Sequence, residues 1–330
     1  MLNLETTYMG IPVKSPIIAG ASALSSTMKN LKRLEASGVG AIVVKSLFEE
    51  EIELSRFKFE KDMEKYEHVH AEMTSIYPRI DYEGTKEHLY WLKKVKQEMQ
   101  IPIIASLNAH SLDTWVEYAE AIEKTGADGL ELNFYELPQN PETTAEEIEQ
   151  HKVEILKKVK ASVSIPVSVK LSPYYTNISN IVKRLEDAGA DGVILFNRLF
   201  QPDIDIEEEE ENISFDFSQS ADSFLTLRWT ALLSPLFKGD IISSKGIIVG
   251  EDMIKMLLAG AQCVQVVSTL YKNGIQQVEV LTEELQAWMK EKNYQSLEDF
   301  RGNMAKDHMK DPWAYERTQY IKMLLSKENL

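Results

Sequence analysis

The stretch Gly189-Ala190-Asp191-Gly192-Val193-Ile194-Leu195-Phe196-Asn197 decides the fold, because its pattern occurs four times along the chain. Each copy follows a helix-like segment and places a glycine and one or two small residues ahead of a short apolar run. The other three copies begin at Gly38, Gly126 and Gly260. Four further apolar runs lie between the copies and start at Ser15, Ile101, Ile165 and Gly239. Eight apolar strands that alternate with helices predict an α/β fold, a (β/α)8 barrel with elaborated loops at the carboxyl ends of its strands.

The bulk composition fits one large barrel and argues against several classes of partner. The chain has 330 residues, 44% of them hydrophobic, and a formal net charge of −16. We therefore expect a single barrel domain over residues 1–330. An acidic chain repels phosphate backbones, so nucleic acid is not an expected partner. The single cysteine, Cys263, excludes an intramolecular disulfide, fits a reducing compartment and is interpreted as a core residue.

Targeting and membrane signals are not evident in the sequence. The N-terminal residues have neither a basic start nor the apolar run of a signal peptide. No window approaches the roughly 18 apolar residues of a membrane-spanning helix. The sequence therefore predicts a cytoplasmic protein without a membrane segment.

Several segments lie outside the repeating pattern. Residues 1–14 predict a hairpin, and residues 46–84 predict an elaborated loop that covers the barrel mouth. In residues 201–220, the run Glu207 to Glu211 predicts a solvated loop, whereas the alternation of Ile213, Phe215 and Phe217 favours a hairpin insertion. From Ile275 onward we expect a helical chain that is broken at Pro312.

Polar side chains stand at the predicted carboxyl ends of the strands, where barrels of this kind place their chemistry. Lys45 and Lys170 end the second and fifth strands, and Asn133 and Asn197 end the fourth and sixth. A lysine there is a Schiff-base nucleophile, a cation beside an electron-rich cofactor ring, or the partner of a structural carboxylate. An asparagine amide both donates and accepts hydrogen bonds, which suits a planar heterocycle. Asn108, which ends the third strand, fits either that role or a contact with loop backbone.

The last two strands predict a phosphate site. Lys245-Gly246 follows the seventh strand and leads into a helix N-terminus, and Val267-Ser268 closes the eighth strand. Backbone N–H groups that converge at such loops hold phosphate, and the alternative is that the glycines only make turns. The small pair Ala19-Gly20, at the end of the first strand, lets a ligand approach the backbone.

Other candidate sites receive little support from the sequence. His68 and His70 have a spacing compatible with metal ligation, but no further ligand completes a set, so no metal is expected. His110 is interpreted as a solvated loop residue. A GxGxxG fingerprint for dinucleotide binding is absent from the sequence.

With these residues placed, the chain resembles the class 1 dihydroorotate dehydrogenases, which are soluble FMN-dependent barrels. The resemblance covers nearly the whole length, and its motifs occur in family order. The matching segments are Pro16–Ser22, Lys45-Ser46, Glu131-Leu132-Asn133, Val169–Pro173, Asn197, Gly250–Asp252, Ala259–Val266 and Leu297–Gly302.

The resemblance implies a function and a set of site residues. It implies an FMN cofactor, oxidation of dihydroorotate to orotate in pyrimidine biosynthesis, and a homodimer as a possible assembly. Lys170 would bind the flavin, Lys45 would lie near flavin and substrate with Ser46 beside it, and Asn133 would contact both. Asn197 would bind the pyrimidine. Nothing in the sequence binds an iron–sulfur cluster, so a partner of that kind would be a separate chain.

The departures from the family pattern concern the acid–base element. After Glu-Leu-Asn the family carries a catalytic cysteine, whereas this chain reads Phe134–Asn140, with neither cysteine nor serine. When this segment is aligned with the family from its N-terminal end, Glu136 occupies the position of the catalytic cysteine. When it is aligned from its proline, Leu137 occupies that position. A carboxylate serves as base if burial raises its pKa. Tyr135 is the poorer base, since its reference pKa lies near about 10.

Three further departures affect binding positions. Ala71 replaces an asparagine that holds the pyrimidine, and Lys245 and Val267 replace glycines of the phosphate loops. The flavin scaffold is therefore expected to be retained while the acid–base element is rebuilt. This pattern predicts an atypical dihydroorotate dehydrogenase, or a flavoprotein paralogue that acts on another substrate or has no dehydrogenase activity. A Schiff-base lyase or aldolase that uses Lys170 or Lys45 is the remaining alternative.

Overall fold

The computed structural model describes residues 2–49, 83–198, 202–212 and 217–311, together with 315–316, 320–321 and 324. Eight parallel strands form a closed barrel. The barrel strands are β3 (Ile17–Ala19), β4 (Ala41–Phe48), β5 (Ile103–Asn108), β6 (Gly129–Asn133), β7 (Val167–Leu171), β8 (Gly192–Leu195), β11 (Asp240–Ser244) and β12 (Cys263–Val266). The ring closes through β11, which pairs with both β8 and β12. The predicted (β/α)8 barrel is thus confirmed.

Helices surround the barrel and alternate with its strands. They are α1 (Met28–Ala36), α2 (Glu83–Glu98), α3 (Leu112–Glu123), α4 (Ala145–Ser162), α5 (Ile178–Asp187), α6 (Ser223–Leu233), α7 (Gly250–Leu258), α8 (Ser268–Asn273) and α9 (Gln277–Glu291). Short 3-10 turns cover Ala23–Ser26, Ser220–Asp222 and Leu297–Asp299. Among the described residues, no helix combines the length and apolarity that crossing a bilayer requires.

The repeated glycine motif has a structural role at the amino end of the barrel. Its first glycine ends the preceding helix in the left-handed region, with a φ of +88° at Gly126 and +96° at Gly189. In two copies of the motif, the aspartate that follows accepts hydrogen bonds from both a neighbouring helix and the start of a barrel strand. Asp128 accepts hydrogen bonds from Lys96 Nζ and from the backbone N–H of Ile103, at 2.7 Å each. Asp191 does the same in the next copy of the motif.

An N-terminal hairpin closes the amino end of the barrel, as residues 1–14 predict. Strands β1 (Thr6–Tyr8) and β2 (Ile11–Val13) pair in antiparallel fashion. Tyr8, Met9 and Val13 are buried against inward-facing barrel residues. The hairpin therefore fills the amino end of the barrel.

The structure corrects two expectations about elements and refines a third. The chain is not helical from Ile275 to its end, because α9 stops at Glu291 and residues 292–311 form turns and one 3-10 turn. Lys45 does not end its strand, since β4 continues to Phe48 with a register shift against β5. The acidic insertion contains a hairpin of β9 (Asp203–Asp205) and β10 (Glu210–Asn212), with most of the glutamates in its turn.

Some expectations fall on residues that the structure does not describe. They are the loop segment 50–82, which includes His68, His70 and Ala71, the alternating residues Ile213 and Phe215, and the helix break at Pro312.

Candidate active site

Four predicted polar side chains form an arc at the carboxyl ends of β5 to β8. Asn133 and Lys170 are register partners on β6 and β7. Asn197, two residues after β8, donates from Nδ2 to Oδ1 of Asn133 at 2.5 Å. Asn108, at the end of β5, donates from Nδ2 to the carbonyl oxygen of Asn133 at 2.8 Å. All four residues are buried, so their polar groups lie in an environment where hydrogen bonds are strong.

Lys170 belongs to a buried network with two residues that the sequence analysis gave no role. Its Nζ donates to Oε1 of Gln265 at 2.7 Å, and Nε2 of Gln265 donates to Oε2 of Glu131 at 2.6 Å. Nζ of Lys170 also lies 3.9 Å from Oε1 of Glu131. We call these three residues the Lys170 network.

A sequence signal for the Lys170 network exists. Glu131 stands between Leu130 and Leu132, and Gln265 between Val264 and Val266, so each is a polar residue inside a buried apolar strand. In a barrel, alternation directs such a residue into the lumen when its neighbours face the helices.

Lys45 and Ser46 lie at the irregular part of β4. The register of β4 against β5 shifts between Val44 and Leu47, which changes the alternation of side chains there. Ser46 Oγ is 2.7 Å from Ser106 Oγ on the neighbouring strand, and both hydroxyls are buried. Lys45 itself is half-buried. Because β5 lies between β4 and β6, the ammonium group of Lys45 is carried two strands away from Asn133.

The loop after β11 has a constrained backbone. Lys245 and Gly246 both adopt left-handed conformations, with φ values of +77° and +74°. A Cβ at Gly246 would lie 2.4 Å from the backbone nitrogen of Ser223, so only glycine fits against the start of α6. Lys245 occupies a backbone conformation that costs an L-residue about 1–2 kcal/mol.

Carboxylates of the chain itself occupy the N-terminus of α7, which the sequence analysis expected to face a phosphate. Asp252 Oδ2 accepts from the backbone N–H groups of Ile248 and Val249, at 3.0 and 3.1 Å. Glu284 Oε2 accepts from the backbone N–H of Gly250 at 2.5 Å. A phosphate site at Lys245-Gly246 and Val267-Ser268 stays a prediction.

The ends of β3 and β12 pack closely against each other. Gly20, after Ala19, donates its N–H to the carbonyl oxygen of Val266 at 3.0 Å. A Cβ at Gly20 would lie 2.7 Å from Cγ2 of Val267. Val267 thus fills the space beside Gly20, and Ser268 Oγ accepts from the backbone N–H of Ser218 at 3.1 Å.

The segment after β6 is anchored to α4 through Glu136. Its carboxylate is 48% exposed and lies 2.7 Å from Nζ of Lys152, a side chain only 7% exposed. Lys152 Nζ also lies 5.7 Å from the centre of the Tyr175 ring. Burial, with the nearby carboxylates Glu136 and Glu149, raises the pKa of Tyr175 well above its usual range. Glu136 as base stays a prediction, as does Tyr135, which is 40% exposed on the same segment.

The other titratable candidates contribute less to this site. Cys263 is fully buried in β12, and burial raises the pKa of its thiol far above the usual range. His110 is exposed after β5. Within the described ranges, no group of three or more histidine, cysteine or acidic residues is placed to hold a metal ion.

Comparison with known proteins agrees with this architecture. A sequence profile described as dihydroorotate dehydrogenase matches residues 78–289. The chain belongs to the dihydroorotate dehydrogenase family. The resemblance inferred from the motifs is thereby confirmed. Members of the family are FMN-dependent oxidoreductases that act on CH–CH bonds, and this chain is a dihydroorotate dehydrogenase-like oxidoreductase.

Individual relatives match over most of the length. The catalytic subunit of dihydroorotate dehydrogenase B (NAD(+)) from Methanocaldococcus jannaschii is 28% identical over 314 residues, covering 91% of this chain and 97% of that protein. The Pyrococcus abyssi protein of the same name is 27% identical, covering 91% and 98%. Dihydroorotate dehydrogenase A (fumarate) from Lactobacillus helveticus is 29% identical over 218 residues, covering 63% of this chain and 69% of that protein.

Proposed function

We propose that this chain binds FMN at the carboxyl end of its barrel and oxidises dihydroorotate or a closely related cyclic amide. One observation carries the proposal beyond family membership. The buried ammonium of Lys170 stands on the strand next to Asn133, whose amide is hydrogen-bonded to that of Asn197. This combination of one cation and two linked amides suits a flat heterocycle with carbonyl and N–H groups.

The residues present fit the isoalloxazine end of FMN. Lys170 has three N–H donors, of which one is directed to Gln265. The remaining donors can serve ring atoms, and the positive charge stabilises an electron-rich ring. Bound FMN would supply the acceptor for the substrate hydride.

The phosphate end of the cofactor would be held mainly by backbone. Lys245-Gly246 and Val267-Ser268 would supply N–H groups, with Asn108 and Ser46 nearer the ring. Ala19-Gly20 at the end of β3 is assigned to the same end of the cofactor site, where the missing side chain of Gly20 lets Val267 pack against its backbone.

Substrate recognition is assigned to Asn133, Asn197 and Lys45. Because Asn197 donates to Oδ1 of Asn133, Asn133 keeps the donors of its Nδ2 and Asn197 keeps its carbonyl acceptor. A donor beside an acceptor matches the amide edge of a pyrimidine ring. Lys45 adds a positive charge, which suits the carboxylate of dihydroorotate.

The base is assigned to the segment after β6. Removal of a proton from the substrate requires a base within hydrogen-bond reach of that carbon. Glu136 is the carboxylate of this segment, and Tyr135 beside it is the weaker base at neutral pH. The ion pair with Lys152 must open or shift for Glu136 to act.

The test is an anaerobic titration of the FMN-loaded protein with dihydroorotate, followed by flavin absorbance. In the wild-type protein, the flavin absorbance should bleach in proportion to the dihydroorotate added, up to one equivalent. Lys170→Met should weaken FMN binding, whereas the exposed Lys183→Met should not. Glu136→Gln should retain FMN and slow reduction by about 10²–10⁴-fold, in line with loss of a general base. Lys45→Ala should raise the dihydroorotate concentration needed for half-reduction.

Three results would contradict parts of this proposal. A protein that takes up no FMN would refute it entirely, and trapping of a carbonyl substrate by borohydride would then favour a Schiff-base enzyme. Bound FMN that dihydroorotate does not reduce would favour a flavoprotein with another substrate or none. If dihydroorotate reduces the flavin of Glu136→Gln at the wild-type rate, another residue is the base.

A further inference from the structure

We propose that Glu131 is a positioning residue that weakens the electrostatic pull of Lys170 on the bound flavin. The inference rests on the proposed FMN function and adds to it a residue that sets the reduction equilibrium of the cofactor. It depends on the Lys170 network and on where its three members stand in the barrel.

The Lys170 network spans the lumen. Glu131 lies on β6 and Gln265 on β12, and three strands separate β6 from β12 in either direction around the barrel. The 2.6 Å hydrogen bond between the two side chains therefore links opposite walls. Gln265 in turn accepts from Lys170 on β7, the strand next to Glu131, so the ammonium and the carboxylate of neighbouring strands share one partner on the opposite wall.

The carboxylate of Glu131 is fully buried, which is rare for a glutamate. Its side chain is 0% exposed, and Oε1 has no hydrogen-bond partner among the described residues. A buried carboxylate is costly unless a cation compensates it. The ion pair that the structure records for Glu131 is with Lys170, at 3.9 Å. The two charges thus stabilise each other.

The surroundings of Glu131 contain no second cation in direct contact within the part of the chain that the structure describes. Tyr8 lies below it, with a buried hydroxyl that likewise has no hydrogen-bond partner there. Burial first, and then the charge of Glu131, raise the pKa of Tyr8 far above its usual range. Tyr8 therefore faces Glu131 as a neutral phenol.

The consequence concerns the cofactor in its two oxidation states. Reduced flavin carries more negative charge at the ring than oxidised flavin, so an ammonium beside the ring favours the reduced state. A carboxylate 3.9 Å behind that ammonium offsets part of its field. Removing the carboxylate charge while keeping its shape should therefore increase the preference of the site for reduced FMN.

The experiment compares the midpoint potential of bound FMN in wild type, Glu131→Gln and Tyr8→Phe, by equilibration with reference dyes. Glu131→Gln should raise the ratio of the dissociation constants of oxidised and reduced FMN about tenfold, which is about +30 mV for a two-electron couple. Tyr8→Phe alters the same buried layer without a charge and should leave the potential unchanged. A purely structural role of Glu131 would alter stability or FMN affinity without this directed shift.

The outcomes distinguish a failure of the Glu131 role from a failure of the proposed function. If wild type binds FMN but Glu131→Gln leaves the potential unchanged or lowers it, the role of Glu131 is refuted and the proposed function stands. If wild type binds no FMN, both fail. If Glu131→Gln does not fold, Glu131→Asp withdraws the carboxylate from Lys170 and should shift the potential in the same direction by a smaller factor, and no shift there refutes the role.

Discussion

Gly20 shows how a single missing Cβ shapes the carboxyl end of the barrel. Its backbone is not in the left-handed region, so its conformation does not require glycine. Space does, because a Cβ would lie 2.7 Å from Cγ2 of Val267 and 3.0 Å from Cγ of Gln265. The pair Gly20 and Val267 therefore behaves as one packing unit at the edge of the proposed phosphate site.

Gly20→Ala should lower the free energy of unfolding by about 1–3 kcal/mol, the usual cost of overpacking a dense interior. Val267→Ala in the same chain should restore much of that loss, because it removes the methyl group that the new Cβ would strike. Denaturant unfolding of both single variants and the double variant gives the coupling energy. Simple additivity of the two substitutions would contradict the proposed contact.

Lys152 illustrates a residue that acts by holding another. It is a buried lysine on α4 whose ammonium pairs with Glu136 at 2.7 Å. The pair fastens the segment after β6 to the helix that follows it. Because Glu136 is half-exposed, its carboxylate can be hydrated when the lysine is removed.

Lys152→Met should therefore cost stability only modestly, by about 1 kcal/mol, and should mainly loosen residues 135–140. Hydrogen exchange followed by mass spectrometry should show faster exchange in this segment. Lys158→Met, an exposed lysine on the same helix, provides the matched control. Equal exchange in both variants would show that the ion pair does not hold the segment.

At the scale of elements, the N-terminal hairpin is joined to the barrel by polar contacts as well as by apolar burial. Asp240, the first residue of β11, accepts from the backbone N–H of Gly10 at 3.3 Å. Gln262 Nε2 donates to the hydroxyls of Thr6 and Thr7. Burial raises the pKa of Asp240 above its ordinary value, against hydrogen bonds that lower it.

This raised pKa predicts the sign of a pH effect on stability. Between the ordinary and the raised pKa of Asp240, the folded state binds more protons than the unfolded state, so stability falls as pH rises through that interval. Asp240→Asn has no such titration. Its free energy of unfolding should therefore increase relative to wild type as pH rises through the interval.

Urea unfolding at a series of pH values measures this difference directly. Glu117→Gln, which changes an exposed carboxylate on α3, is the control for the loss of one carboxylate charge. The same pH profile for Asp240→Asn as for this control would mean that burial of Asp240 does not affect its proton equilibrium.

At the scale of the whole molecule, closure of the barrel makes the two ends unequal. The hairpin fills the amino end with Tyr8, Met9 and Val13, while the carboxyl end carries the arc of Asn108, Asn133, Lys170 and Asn197. A ligand bound to that arc contacts several strands at once. Its binding free energy therefore adds to the stability of the entire barrel.

FMN at one hundred times its dissociation constant should raise the free energy of unfolding by about 2.7 kcal/mol, seen as a higher Tm by circular dichroism. Riboflavin, which lacks the phosphate, should give a smaller rise at the same concentration if the loops after β11 and β12 hold phosphate. Equal shifts would remove the phosphate role from Lys245-Gly246 and Val267-Ser268. An unchanged Tm with FMN would contradict cofactor binding.

Sequence reasoning succeeded where the pattern is local and repeated. The left-handed glycines and the aspartates that follow two of them occur at fixed spacing, so barrel strands and helices can be counted without coordinates. It failed after Glu291, where a helical pattern gives way to turns packed on the barrel, and at Lys45, where a register shift with β5 extends the strand. Both outcomes depend on contacts between segments distant in sequence.

The amino-acid sequence by itself determined the eightfold alternation, the family and the polar residues at the strand ends, because each is written in short spacings. Only the tertiary structure decided which of these residues meet. The link from Glu131 through Gln265 to Lys170 crosses the lumen between strands 134 residues apart in sequence, and the carboxylates of Asp252 and Glu284 take the helix terminus expected to face a phosphate. Closure of the barrel brings such groups together, and no local pattern encodes their distances.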